Sequence, residues 1–295
     1  MSGLLDRVAG APISWGVCEV PGWGYQLDPV RVLAEMRTVG LRATELGPDG
    51  FLPDAPADKA GALAAHGLTA VGGFVPVVLH DPGHDPLPEV DRALDGLLAA
   101  GAAVIVLAGA TGLQGYDERP ALDDHGWRTL LANLDALAAR AAERGVRACL
   151  HPHVGTTVET GDDVTRVLEG STVPLCLDTG HLLIGGTDPV ALAKEATERI
   201  VHVHLKDVDA AMAARVRRGD VGYADAVRQG LYRPLGAGDV DVASIVTTLE
   251  DAGYDGWYVM EQDTVLTSEP TGAGPVADVR TGIEFLRAVA DGRPA

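Results

Sequence analysis

The decapeptide HPHVGTTVET, His151 to Thr160, closes an apolar run, RACL, with two imidazoles one residue apart, three hydroxyls and a carboxylate. Imidazole and carboxylate at the end of an apolar run are groups that hold a divalent cation or bind a polyol. Three later runs end in the same way. PLCLD leads into Asp178 and His181, VHVHLKD carries His202, His204, Lys206 and Asp207, and WYVME leads to Glu261 and Asp263. Side chains alternate across a strand, so His151 shares a face with Cys149, Asp178 with Cys176, and His204 with His202 and Lys206. Charged and imidazole groups facing a packed interior are costly unless they share a partner. A divalent cation is such a partner, and His151, Asp178, His204 and Glu261 are its expected ligands. His153 also follows the strand, and Pro152 between the two histidines fixes an extended bend. His151 is favoured as the ligand, with His153 facing the substrate. The plainer alternative is that the histidines hydrogen-bond locally and the acids cap the following helices, as Asp178 could before TGHLL.

The elements that must position these groups are short apolar runs alternating with Ala/Leu-rich segments of helical period. The runs are Ala11 to Trp15, Arg42 to Leu46, Thr69 to Val75, Val104 to Gly109, Arg147 to His151, Pro174 to Asp178, Val201 to Asp207 and Trp257 to Glu261. Between them, Asp28 and Pro29 start a helix in DPVRVLAEMRTVG, and Gly145 stops another after WRTLLANLDALAARAAER. Eight strands, each followed by a helix, predict a closed (β/α)8 TIM barrel, an α/β fold occupying residues 1–295 as a single domain. In that fold catalytic groups gather where strands end, which is where the acids and histidines fall. Glu45 adds a carboxylate at the end of the second strand. No GxGxxG follows the first strand, and the glycines of GGFVPV and LAGATG alone do not make a dinucleotide site.

The chain has 295 residues, of which 46% are hydrophobic and only 4% aromatic, so Ala, Val and Leu must do most of the packing. A formal net charge of −19 repels phosphate backbones and anionic lipid. Neither a nucleic acid nor a membrane is expected as partner, and a small neutral polyol suits the charge better. Cys18, Cys149 and Cys176 lack zinc-finger spacing, and the N-terminus has no basic segment followed by an apolar one. A cytoplasmic protein with reduced thiols is expected, with Cys149 and Cys176 as small core residues.

The segments LCLDTGHL, HVHLKDV, QGLYRPLGAGDVD and GYDGWYVMEQD, in that order, resemble the xylose isomerase-like TIM-barrel superfamily of sugar isomerases and epimerases. Within it, APISWG, TELGPDGFLP and HPHVGT make the chain similar to the inosose (2-keto-myo-inositol) dehydratases, along nearly its whole length. The resemblance implies one divalent ion, Mn2+, Co2+ or Mg2+, at the ends of strands five to eight, on His151, Asp178, His204 and Glu261. Two imidazoles and two carboxylates suit Mn2+, Co2+ or Fe2+ with open positions better than a closed structural zinc. Ketose epimerases carry a glutamate at the strand-five position. Imidazole there weakens a two-glutamate epimerisation and points to a metal-dependent carbon–oxygen lyase that dehydrates a keto-cyclitol through an enediolate.

Such a lyase needs a base for the α-proton and an acid for the departing hydroxyl. Lys206, near the cation, is expected either to have a lowered pKa and act as base or to form a salt bridge with Asp207 or Glu261; His153 and His181 are candidates for the acid. Trp15 is expected to cover an apolar sugar face and Glu45 to accept from substrate hydroxyls. Glu159 either contacts substrate, as the resemblance implies, or caps a helix. The long segment Ala210 to Gly238 is expected to form either a lid, with Tyr232 or Arg233 reaching the substrate or a neighbouring subunit of a homo-oligomer, or an ordinary extra helix and turn. The other readings are a metal-dependent keto-sugar isomerase or epimerase, a polyol-binding barrel, and a nuclease of the same fold, which the charge opposes.

Overall fold

The computed structural model describes residues 3–292. Eight parallel strands close into a barrel: β1 (Val8–Gly10), β2 (Ala43–Thr44), β3 (Thr69–Ala70, continued after Val71 by Gly72–Val78), β4 (Val104–Ala110), β5 (Arg147–Leu150), β6 (Leu175–Asp178), β7 (Ile200–Leu205) and β8 (Tyr258–Met260). Each pairs with the next, and β8 returns to β1 through Val8 opposite Tyr258 and Gly10 opposite Met260. The ring closes at β3, whose first piece pairs with β2 and whose second pairs with β4.

The first strand lies earlier than the sequence predicts. Val8–Gly10 is the strand, and Pro12–Trp15 is a 3-10 turn. Pro12 has no N–H to give to a ladder, and Gly16, at φ 81°, takes the left-handed conformation that ends the turn. Trp15 is therefore carried into the core.

The connecting helices are α1 (Pro29–Thr38), α2 (Pro56–Ala65), α3 (Leu87–Ala99), α4 (Asp124–Glu143), α5 (Gly161–Gly170), α6 (Thr179–Gly185), α7 (Pro189–Glu195), α8 (Ala210–Arg217), α9 (Tyr223–Arg228), α10 (Val242–Asp251) and α11 (Val276–Ala290). Their starts are written locally. Asp28 accepts from the Val30 N–H ahead of α1, and Thr160 and Asp163 cap each other's backbone at α5. Leu94 and Leu97 of α3 and Leu130, Leu134 and Leu137 of α4 are buried in the main apolar layer around the strands. The β4 sequence VIVLAGA is buried almost throughout, as a parallel strand covered by helices on one face and barrel interior on the other should be.

Inside the barrel the floor is made of small side chains. Val104, Val106, Cys149 and Cys176 form one buried cluster, and Ala9, Ala43, Val71 and Val259 another. The polar strand ends lie in the layer above. Among the described residues no helix is long and apolar enough to cross a membrane.

The 210–238 segment is not an open loop. It holds α8, α9 and a short antiparallel ribbon of Asp207–Val208 with Tyr232–Arg233. Its Tyr223, Ala226, Leu231 and Tyr232 pack with Trp23, Val154 and Ile184 in a second apolar cluster. Asp207 ties its far end: the buried carboxylate accepts from the backbone N–H groups of Gly236, Gly238 and Val240 at 2.9–3.0 Å. A Cβ on Gly238 would fall against the Asp207 carboxylate, which explains the glycine of GAGD. Asp207→Ala orphans all three donors, so we expect the unfolding free energy to fall by at least about 2 kcal/mol in chemical denaturation. A change under about 0.5 kcal/mol would mean that water satisfies these groups instead.

Candidate active site

The strand ends open into a cavity of about 560 Å³, whose inner wall includes Glu45, Phe74, His151, His153, Lys206 and Glu261. Sheet register brings the groups together. Asp178 on β6 lies opposite His204 on β7, and Val259 on β8 lies opposite His204 from the other side. The chain continues beyond β8 with Glu261 N–H donating to the Leu205 carbonyl, which sets Glu261 beside Lys206.

Asp178 does two things at once. Its Oδ1 caps α6, accepting from the N–H groups of Gly180 and His181 at 2.9 and 2.7 Å. Its Oδ2 faces inward, 3.0 Å from His151 Nε2, 3.6 Å from His204 Nδ1 and 3.9 Å from Lys206 Nζ. Glu261 Oε2 is 3.3 Å from the same His204 Nδ1 and 2.8 Å from Lys206 Nζ. Capping and clustering, alternatives in the sequence, are both satisfied by one aspartate.

Lys206 takes the salt-bridge alternative, with Glu261 and not Asp207 as partner, 2.8 Å away. Burial opposes its charge, but the carboxylates of Asp263, Glu261 and Asp178 outweigh it and hold the ammonium well above the usual lysine range. Asp263 is in direct contact with Nζ. Burial likewise opposes charge on His204, yet Glu261 and Glu45 raise it well above the usual imidazole range. Burial lowers His151 to about 4 despite Asp178, and it carries His153 and His181 well below their ordinary range.

The HPHVGTT turn shows which of its groups face the cavity. Thr156 Oγ1 donates to its own turn and Thr157 Oγ1 to the Gly109 carbonyl at 3.0 Å, so the hydroxyls shape the loop. Gly155 sits at φ 72°, where a Cβ would lie 2.4 Å from the Tyr116 backbone. His151 reaches Asp178, whereas His153 Nδ1 turns to the Val154 carbonyl and its ring lies 3.7 Å from that of His181. His153 lines the cavity, and His181 stands behind it.

Several expected contacts are absent. Trp15 is fully buried, donates to Glu35 at 2.8 Å and does not line the cavity. Glu159 neither faces the cavity nor caps α5; it accepts from Gly155 N–H at 2.8 Å beside Arg119, and Thr160 is the cap. Arg233 is exposed and pairs with Asp209 at 3.2 Å. Tyr232 is one layer back, its ring 5.3 Å from Lys206 Nζ. Glu45 does line the cavity, but its Oε1 is already taken by His202 and His204.

Sequence reasoning assigned no role to Asp263 or Tyr223. Tyr223 donates to Asp263 Oδ2 at 2.5 Å, so Tyr232, 2.8 Å away, must donate to Tyr223. The acid at the end of EQD was visible, but its partner sits on an inserted helix with no pattern to announce it.

A divalent ion fits this donor set. Asp178, His204 and Glu261 offer ligand atoms within 4.8 Å of one another, and His151 joins them through Asp178. His204 Nδ1 is buried with no hydrogen-bond partner although two carboxylate oxygens flank it.

Residues 33–289 match the family described as xylose isomerase-like TIM barrel. The rhizopine catabolism protein MocC of Rhizobium meliloti is 35% identical over 96% of this chain and 88% of its own. An inosose dehydratase of Geobacillus thermodenitrificans is 30% identical over 94% of this chain and 95% of its own. Among solved structures, that of IOLI protein with a binding zinc atom superposes with a TM-score of 0.69 at 16% identity, covering 98% of this chain and 99% of the other.

Replacing Lys206 by methionine keeps its stem and leaves Asp178, Glu261 and Asp263 buried without their cation. With a chelator present, the variant should be about 3–5 kcal/mol less stable in denaturant titration. A loss below about 1 kcal/mol would show that the acids do not depend on the ammonium.

Proposed function

The chain belongs to the xylose isomerase-like TIM-barrel family, and from that premise we propose that it is a lyase that removes water from a keto-cyclitol such as 2-keto-myo-inositol. The observation that carries this reading is the end-to-end likeness to an inosose dehydratase, joined at strand five to imidazole, His151 and His153, where an epimerase pair would need a glutamate. The cavity suits a polyol, since carboxylates, imidazoles and an ammonium line it alongside Phe74.

Dehydration breaks a C–H bond next to the ketone and a C–O bond one carbon further on, forms a C=C bond and releases water. It consumes no redox cofactor. We assign His151, Asp178, His204 and Glu261 to one divalent ion, with Mn2+ or Co2+ preferred over Fe2+ and Mg2+. When bound, that ion supplies Lewis-acid polarisation of the ketone. His153 lines the cavity and its Nδ1 is held by the Val154 carbonyl at 2.6 Å, so Nε2 is the atom we assign to accept the α-proton. Lys206, held charged among three carboxylates, is assigned to hydrogen-bond the departing hydroxyl rather than to act as the base. His181, behind His153, supports that ring by stacking. The free thiols Cys18, Cys149 and Cys176 are consistent with a reducing, cytoplasmic setting.

The test is to incubate the protein, loaded with Mn2+ or Co2+, with 2-keto-myo-inositol without NAD and follow proton NMR and mass. We expect a product lighter by one water. An isomer of unchanged mass would replace this reading by an epimerase, and unchanged substrate would reject it for this cyclitol.

The ion assignment has its own measurement. The purified protein should take up about one divalent ion per chain, and Asp178→Asn combined with His204→Ala should abolish uptake in elemental analysis. Full metal content in the folded double variant would refute the ligand set.

A further inference from the structure

Glu45 and His202 are buried, titratable, and unused by the chemistry above. Glu45 follows β2, three strands round the barrel from β7, and is only 3% exposed. A single oxygen, Oε1, lies 2.8 Å from His202 Nε2 and 3.0 Å from His204 Nε2. A carboxylate oxygen accepts, so both imidazoles give it their Nε2 hydrogens. The other nitrogen of His204, Nδ1, is then the one left facing Asp178 and Glu261, and it is the one without a hydrogen-bond partner.

We propose that Glu45 is a positioning residue for His204: it fixes which ring nitrogen faces the Asp178–Glu261 cluster, and so sets the affinity of that cluster for a divalent ion. The inference rests on the metal site proposed above.

Two features indicate that the carboxylate is built for this place. Gly72, on the second piece of β3, leaves room beside it: a Cβ there would come 3.4 Å from Glu45 Oε1 and 3.1 Å from the Val104 carbonyl. His202 supplies the second hydrogen bond from the same strand, its ring inclined 75° to that of His204 at a centroid distance of 5.3 Å. Two donors from different directions fix Oε1 in space, where one would let the carboxylate swing. Contacts of this outer kind are commonly worth 10–100-fold in metal affinity.

The experiment titrates chelator-stripped, full-length protein with Zn2+ by calorimetry, for the wild type, Glu45→Gln and Glu45→Leu. Nitrogen-15 NMR of the Zn2+-loaded protein reads the His204 ring. We expect one ion per wild-type chain, with the hydrogen of His204 on Nε2. Glu45→Leu should bind about 10–100-fold more weakly. Glu45→Gln keeps an acceptor oxygen at the same reach, so it should retain the Nε2 hydrogen and lose less affinity. It also remains informative if the leucine variant does not fold. Unchanged Zn2+ affinity in both variants, with KM for the substrate raised, would overturn the proposal and make Glu45 a substrate contact. Two ions per wild-type chain, one of them lost in Glu45→Gln, would overturn it by making Glu45 a ligand. A wild type that takes up no Zn2+ would reject the metal site itself, and the inference with it.

Discussion

The arrangement depends on the neutralisation of charge in a place that water cannot reach freely. Asp178 is fully buried, Lys206 is 2% exposed and Glu261 9%, all above an apolar floor of valine and cysteine. A buried charge without a partner is far more costly than any hydrogen bond in the molecule is worth. Each group is therefore held by the others: Lys206 by three acids, Asp178 by two imidazoles and the start of α6, His204 by Glu45 on one side and Glu261 on the other. Such a set tolerates little displacement. This accounts for Gly180, where a Cβ would lie 2.7 Å from that of Lys206 as α6 crosses the end of β7.

The inserted helices are tied to the same charge. Asp263 touches Lys206 and accepts from Tyr223, and Tyr223 in turn accepts from Tyr232. Asp207, the residue after Lys206, gathers the backbone between Gly236 and Val240. The two residues that follow β7 thus have opposite duties, one turned to the cavity and one to the wall around it. The apolar packing of Trp23, Val154 and Ile184 against α9 completes that wall. The segment that length alone suggested as a lid contributes fixed hydrogen bonds to the acid nearest the lysine.

Much of this was legible because period and punctuation are local. Eight apolar runs, Asp28 with Pro29, and Gly145 indicate a barrel, and imidazole and carboxylate at the ends of four runs indicate where its chemistry lies. What failed depended on contacts between distant residues or on backbone detail. APISW reads as a strand by composition, yet Pro12 turns the chain and sends Trp15 into the core instead of over the cavity. Lys206 reads as a lysine beside a cation. Its true neighbours include Asp263, 57 residues away in sequence, and an alternation rule within one strand says nothing about which acid a neighbouring strand delivers. Glu159 looks like a site residue by its place after HPHVGTT, but Gly155 bends the turn so that its carboxylate closes the loop.

The carboxylates show why structural and chemical readings of a single residue so often compete. An acid has two oxygens, and Asp178 spends one on the N-terminus of α6 and turns the other to His151 and His204. The helix cap fixes the rotamer, and the fixed rotamer is what aims the second oxygen. Glu45 is held in a related way, by His202, so that His204 meets a stationary partner. In each case the structural bond makes the chemical one directional, at no further cost in side-chain freedom, because the entropy is already lost when the first bond forms. In a buried site assembled from short strand ends, these paired bonds are what aim the carboxylates.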